Sequence, residues 1–167
     1  MTIAAVKGAC PAGGCCLAMC CDFRIVTQDA SMGLNEVAIG ISVPAYWIKL
    51  MTSIIGQGKA DKMCQYARMI GADEAIKVGF VDHVVEKAEE LVPAATKVAQ
   101  EALKLPDGGR GVAKGLLRGE LGGAWGDKGA LEKDAQHLWE NLSNESTVKA
   151  LKAVMDRLGK PKGPAKM

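Results

Sequence analysis

The sequence predicts an α/β chain. Short apolar runs with strand character alternate with segments of helical spacing as far as about residue 86, and beyond that point only helical spacing continues. The 167 residues are 49% hydrophobic and 24% charged, which gives the chain the length and composition of one ordinary globular domain with a core to bury.

"TIAAV" (2–6) reads as a short buried strand and "GGCCLAMCC" (13–21) as a tight apolar helix, with Gly13 and Gly14 at the junction between them. "FRIVT" (23–27) reads as a second strand. "PAYWIKLMTSIIG" (44–56) follows as a helix, with Pro44 near its start and Gly56 near its end. "GKADKMCQYARMI" (58–70) and "ADEAIKVGF" (72–80) have helical spacing and lead into a strand in "VDHVV" (81–85), where His83 is expected at a surface or packing position. "EKAEELVPAATKVAQEALKL" (86–105) is amphipathic but interrupted by Pro93, and Pro106 with Asp107, Gly108 and Gly109 marks a break. Three further helices are expected at 111–121, 130–142 and 145–158, the last capped by Ser143 or Asn144. The Lys-rich "GKPKGPAKM" (159–167) reads as a solvated basic tail.

Several function classes fall away on composition. The net charge of +2 comes from 21 basic and 19 acidic side chains that are mixed along the chain, so no nucleic-acid partner is expected. No apolar run approaches the roughly 18 residues of a membrane span, and no basic-then-apolar signal pattern opens the sequence, so a soluble intracellular protein is expected. Of the six cysteines, Cys15 and Cys16 are adjacent, as are Cys20 and Cys21, and neighbouring helical residues point apart, so reduced thiols are expected. No paired ligands of zinc spacing accompany the two histidines, and no metal site is expected. Gly8 and Gly13 have the spacing of a phosphate loop, but Gly14 and Cys15 stand where Lys and Ser or Thr would be needed, and no dinucleotide fingerprint is present.

Two features carry chemistry. Glycines that open a helix leave outward-pointing amides at the positive end of the helix dipole, suited to an anion or to a carbonyl oxygen gaining charge, and Gly13 lets such an oxygen approach closely. That makes the Gly13 amide one half of a candidate oxyanion hole, with close strand–helix packing as the other reading of the same glycines. In "MGLNEVAIGISVP" (32–44), Glu36 stands among apolar neighbours, where desolvation would raise its pKa toward the range useful for proton transfer, unless it lies on an exposed loop. Trp47 is read as a core anchor of its helix, with the wall of a ligand pocket as the alternative.

"TIAAVKGACPAGGCCLAMCCDFRIVT", then "MGLNEVAIGISVPAYW" and "GFVDHVV", together resemble the crotonase family of enoyl-CoA hydratases and isomerases. Within it the chain is most similar to the Δ3,Δ2-enoyl-CoA isomerases, whose motif reads G-A-C-P-A-G-G followed by G-L-N-E. The resemblance implies the ClpP/crotonase-like ββα spiral, with residues 1–105 as the C-terminal part of that core and 106–158 as a helical oligomerisation region. It implies that Glu36 moves a proton from C2 to C4 of a 3-enoyl-CoA, giving trans-2-enoyl-CoA as in fatty-acid β-oxidation. The Gly13 amide would stabilise the enolate, Asn35 would lie beside the substrate, and Pro11 and Ala12 would shape the turn. Family hydratases usually carry a glutamate after the glycine turn, where this chain has Cys16; one carboxylate suits a proton shuttle better than hydration. No metal or redox cofactor is implied, the acyl-CoA thioester being the substrate.

The resemblance also implies a preceding portion with further strands, much of the CoA site and the second oxyanion amide, so the edge of "TIAAV" is expected to be open. A homotrimer or larger assembly is implied, with Leu138, Leu142, Val148, Leu151 and Val154 able to supply an apolar face either for it or for packing within the chain. The competing function is a shortened, inactive crotonase-like scaffold subunit. The compartment implied is the mitochondrial matrix or the peroxisome, Ala165–Lys166–Met167 being a weak form of the peroxisomal address.

Overall fold

A computed structural model describes residues 1–159. Two small sheets organise it. In the first, β1 (Ile3–Val6), β3 (Phe23–Thr27) and β6 (His83–Val85) lie parallel with β3 central. In the second, β2 (Ala9–Pro11) pairs parallel with β4 (Ser31–Gly33), and β5 (Ile70–Gly71) pairs antiparallel with β4 on its other side. Each sheet ends in an unpaired edge at β1 or β2, as expected for "TIAAV". Alternation along β3 feeds two cores. Val26 faces a large cluster that includes Cys15, Met19, Met32, Leu34, Met51 and Phe80, whereas Ile25 faces a small one with Val85 and Leu91.

Helices α1 (Ala12–Cys20), α2 (Ala45–Ile55), α3 (Gln57–Gln65) and α4 (Ala72–Lys77) contribute to the large core, and α5 (Leu91–Leu103) packs on β1 and β3 from the other side. Three long helices follow: α6 (Asp107–Trp125), α7 (Lys128–Leu142) and α8 (Glu145–Leu158). Pro44 and Gly56 bound α2 as expected, and Asn144, not Ser143, caps α8, its side chain accepting from the Ser146 amide. Leu138, Leu142, Leu151 and Val154 are half-buried within the chain, while Val148 is exposed. The tail beyond Gly159, with its Ala165–Lys166–Met167 ending, lies outside the described residues.

Four expectations need correction. Pro93 does not interrupt α5: it is the third residue of that helix, where no intrahelical hydrogen bond requires its missing N–H. The break expected at Pro106 is present, α5 ending at Leu103 and Pro106 holding the N-cap of α6, but Asp107, Gly108 and Gly109 are not part of it, because α6 runs straight through them. The helix expected over 58–70 ends at Gln65, and the chain turns at Ala67, φ +50°, to enter β5. Gly13 and Gly14 do not join "TIAAV" to the helix directly, for β2 lies between and leads into α1 at Ala12, with both glycines inside the first turn of α1.

The far end of α1 is tied to α6. Asp22 accepts from the Thr2 amide at 2.8 Å and pairs with Lys114 at 2.8 Å and Arg118 at 3.1 Å, and Arg118 also donates to the carbonyls of Cys20 and Cys21. Burial alone would raise the Asp22 carboxyl, but these donors and cations outweigh it and hold the value at about 2. A carboxyl lowered in the folded state stabilises it above the unfolded value of 3.8, and that contribution is lost as pH falls toward 2. Asp22→Asn is therefore expected to cost about 1 kcal/mol at neutral pH, discounted for solvent screening, and nothing near pH 2. Urea unfolding at the two pH values measures the difference.

Candidate functional site

The chain leaves β1, turns at Gly8 with φ +67°, and runs through β2 into α1. Pro11 holds the N-cap position and offers no side-chain acceptor, and no acidic residue lies in the first turn. The Gly13 and Gly14 amides therefore have neither an intrahelical partner nor a side-chain cap, and both residues are exposed. Ala12 enters the helix at φ +52°, a left-handed conformation costing a β-carbon-bearing residue about 1–2 kcal/mol. That strain sits at the turn presenting the two glycines. Trp47 of α2 packs against the core and also reaches this turn. Its Cη2 is 3.6 Å from the point where a methyl group on Gly13 would lie, and its packing against the core bears out the reading of Trp47 as a core anchor of its helix.

The second feature is Glu36. Met32, Gly33 and Leu34 are buried as β4 ends, and Asn35, half-buried, precedes a 3-10 turn over Glu36–Ile39. The Asn35 carbonyl accepts from the Ala38 amide at 3.1 Å, and its side chain makes no cap. Glu36 is 8% exposed, and neither carboxylate oxygen has a hydrogen-bond partner among the described residues. Desolvation raises its pKa above the ordinary 4.5, only partly opposed by its own backbone amide. The exposed-loop reading of Glu36 is thereby set aside.

Three buried thiols lie near enough to this carboxyl to feel its charge. Burial, then Cys20, then Glu36 push the Cys16 thiol up to about 12; burial, with Glu36 and Asp61 adding, raises Cys64 to about 11; burial chiefly raises Cys15 as well. All three stay protonated near neutrality, and all six cysteines are free. Cys16, 5% exposed on α1, is thus a buried neutral group. Cys15 and Cys64 were not singled out in the sequence, since only the fold brings α3 and the buried side of α1 to Glu36. His83 is exposed on β6, as expected. Among the described residues no group of three or more His, Cys, Asp or Glu could hold a metal, and no helix is long and apolar enough to cross a membrane.

The chain holds a buried, unpartnered carboxyl able to take up and return a proton and, at the start of α1, unpaired helix amides able to receive a developing negative charge. Comparison with known proteins gives it a family. Residues 1–156 match the model for enoyl-CoA hydratase/isomerase. The chain is 33% identical over 165 residues to mouse mitochondrial enoyl-CoA delta isomerase 1, covering 96% of this chain and 55% of that one. It is 39% identical over 127 residues to a crotonyl-CoA hydratase of Syntrophomonas wolfei, covering 76% and 45%. The crystal structure of human mitochondrial delta3-delta2-enoyl-CoA isomerase superposes with a TM-score of 0.87 at 31% identity, over 96% of this chain and 62% of that one. The chain spans about half the length of the curated relatives it matches. With this sequence match along nearly its whole length and a common α/β fold, the chain belongs to the enoyl-CoA hydratase/isomerase, or crotonase, family.

Proposed function

We propose that the chain acts as a Δ3,Δ2-enoyl-CoA isomerase, with Glu36 as the single acid/base and the Gly13 amide in the oxyanion hole. The observation that carries this reading is the buried carboxyl of Glu36, without a polar partner, in a chain that has the neutral thiol of Cys16 after the glycine turn in place of a second carboxylate. The C2 proton of a 3-enoyl thioester lies between a carbonyl and a double bond. Glu36 takes it and the C2–H electron pair spreads onto the thioester as a dienolate; Glu36 then returns the proton to C4, where the C3–C4 π pair forms the new C–H bond while the dienolate pair becomes the C2–C3 double bond. During transfer, negative charge delocalises onto the thioester oxygen, which the Gly13 amide receives. A carboxylate of raised pKa is the stronger base for this weakly acidic proton. Ala12 and Pro11 hold the turn, and Asn35 lies beside the acyl chain. The step uses no metal or redox group.

The relatives named as mitochondrial support a place in the mitochondrial matrix, in fatty-acid β-oxidation. Exposed Leu103 at the end of α5, Leu105 in the connection after it and Leu116 and Leu117 on α6 support a homotrimer or a larger assembly.

The test is a comparison of two reactions in one preparation. Double-bond migration in 3-hexenoyl-CoA is expected to exceed hydration of crotonyl-CoA by about a hundredfold or more, the scale of one missing general acid/base group. Comparable rates would overturn the isomerase reading. Cys16→Glu should narrow the gap by raising hydration.

A further inference from the structure

We infer that Thr147 is a positioning residue for Glu36, its buried hydroxyl on the C-terminal helix α8 anchoring the turn that carries the carboxyl. The relevance to catalysis rests on the role proposed above for Glu36; the anchoring does not.

A carboxyl without a polar partner is held only by packing and by its own backbone. That backbone is one four-residue 3-10 turn, a form with poor hydrogen-bond geometry and little stability of its own. The turn closes at Gly40, φ +75°, whose amide donates to the Val37 carbonyl at 3.1 Å, while the Ile41 amide donates to the Glu36 carbonyl at 3.3 Å. Gly40 in turn has one anchor outside the turn: its carbonyl accepts from the Thr147 hydroxyl at 3.1 Å.

Thr147 is the unusual residue of α8. It is 2% exposed, and among the described side chains of that helix it alone is fully buried, although Val148 beside it is apolar and exposed. Its hydroxyl donates across to Gly40, not back into its own helix. The approach is close, since a methyl group on Gly40 would lie 3.0 Å from Thr147 Oγ1 and 3.8 Å from its Cα. Gly40 is thus needed twice, for its positive φ and for the room it leaves the threonine. The other titratable groups that feel the charge of Glu36 are the protonated thiols of Cys15 and Cys16 on α1 and of Cys64 on α3. Glu145 and Lys149 on α8 pair with each other at the surface.

The test uses the 167-residue chain and needs no substrate. Thr147→Val removes the hydroxyl at nearly constant shape, and Thr147→Ser keeps it. The readouts are the NMR titration of the 13C-labelled Glu36 carboxyl and hydrogen exchange at the Gly40 and Ile41 amides. In the valine variant a loosened turn should admit water, moving the Glu36 midpoint down toward the ordinary carboxyl value and speeding exchange at both amides about tenfold; serine should restore both. A valine variant that titrates and exchanges like the parent, or a serine variant that behaves like valine, overturns the inference. If the valine variant does not fold, Thr147→Ala and Thr147→Ser, which both lack the methyl group and differ by the hydroxyl, decide: a midpoint shifted in alanine but not in serine supports the anchor, and equal midpoints remove it. Absence of isomerase activity in the parent chain would dismiss the proposed reaction while leaving this result to stand or fall alone.

Discussion

Replacing Glu36 with glutamine is expected to lower double-bond migration by about 100- to 10,000-fold while leaving thioester binding within a small factor, because the amide has the same shape and cannot take the C2 proton. Rates and affinity for a saturated acyl-CoA measure the two effects separately, and undiminished turnover would remove Glu36 from the mechanism. The same substitution should raise stability at neutral pH. The folded-state pKa of Glu36 lies above its unfolded value of 4.5. Below 4.5 the group is protonated in both states and imposes no penalty. As pH rises, the unfolded chain releases its proton first, and the folded state must then ionise a carboxyl with no partner, so stability is lost as pH passes through the folded value. Glutamine is neutral throughout. The Tm advantage of the variant should therefore be absent in acid and grow toward neutrality, and a difference that does not change with pH would contradict the burial of an ionisable Glu36.

How much of this was legible in the sequence depended on element length. β1, β3 and β6 and the bounds of α2 follow from apolar runs and from Pro44 and Gly56, and they match the structure within a few residues. The second sheet was not legible, because β2, β4 and β5 have three, three and two residues, too few for an alternation to register. That sheet fixes the site, since β2 leads into the glycine turn and β4 into Glu36. The apolar neighbours of Glu36 announced its desolvation, but nothing local could show that both its oxygens lack partners, which depends on what α1, α3 and α8 bring to it. Thr147 was invisible for a related reason: a threonine in the first turn of a helix reads as surface until another segment is found beneath it. The proline and glycine signals failed where position within the helix mattered. Pro93 and Pro106 are helix starters, tolerated because the first turn has amides to spare.

Gly33 shows what such a short strand depends on, and Gly33→Ala is expected to be the most damaging small substitution in the chain. A methyl group there would lie 2.3 Å from the Arg68 carbonyl oxygen and 3.1 Å from the Met69 sulfur. A flexible side chain could swing away, but a backbone carbonyl just before β5 can yield only if β5 moves. β4 pairs with β5 through Ser31–Gly71 and Met32–Ile70, and with β2 through Cys10–Met32 and Pro11–Gly33. A shift at Gly33 would thus reach Pro11, where α1 begins, and Leu34, which is fully buried two residues before Glu36. The expected cost is about 3 kcal/mol, the upper end of the range for overpacking, because both walls of the contact are constrained. Isomerase activity should fall along with stability, the reverse of Glu36→Gln, where activity falls and stability at neutral pH rises. Gly71→Ala supplies the control. It lies on β5 in the same ladder, but a methyl group there would meet nothing within 4 Å, so its urea midpoint should stay within the error of the parent. Equal midpoints for the two variants would mean that β5 is free to move away from Gly33, and the second sheet could not then be the element that holds the glycine turn and Glu36 together.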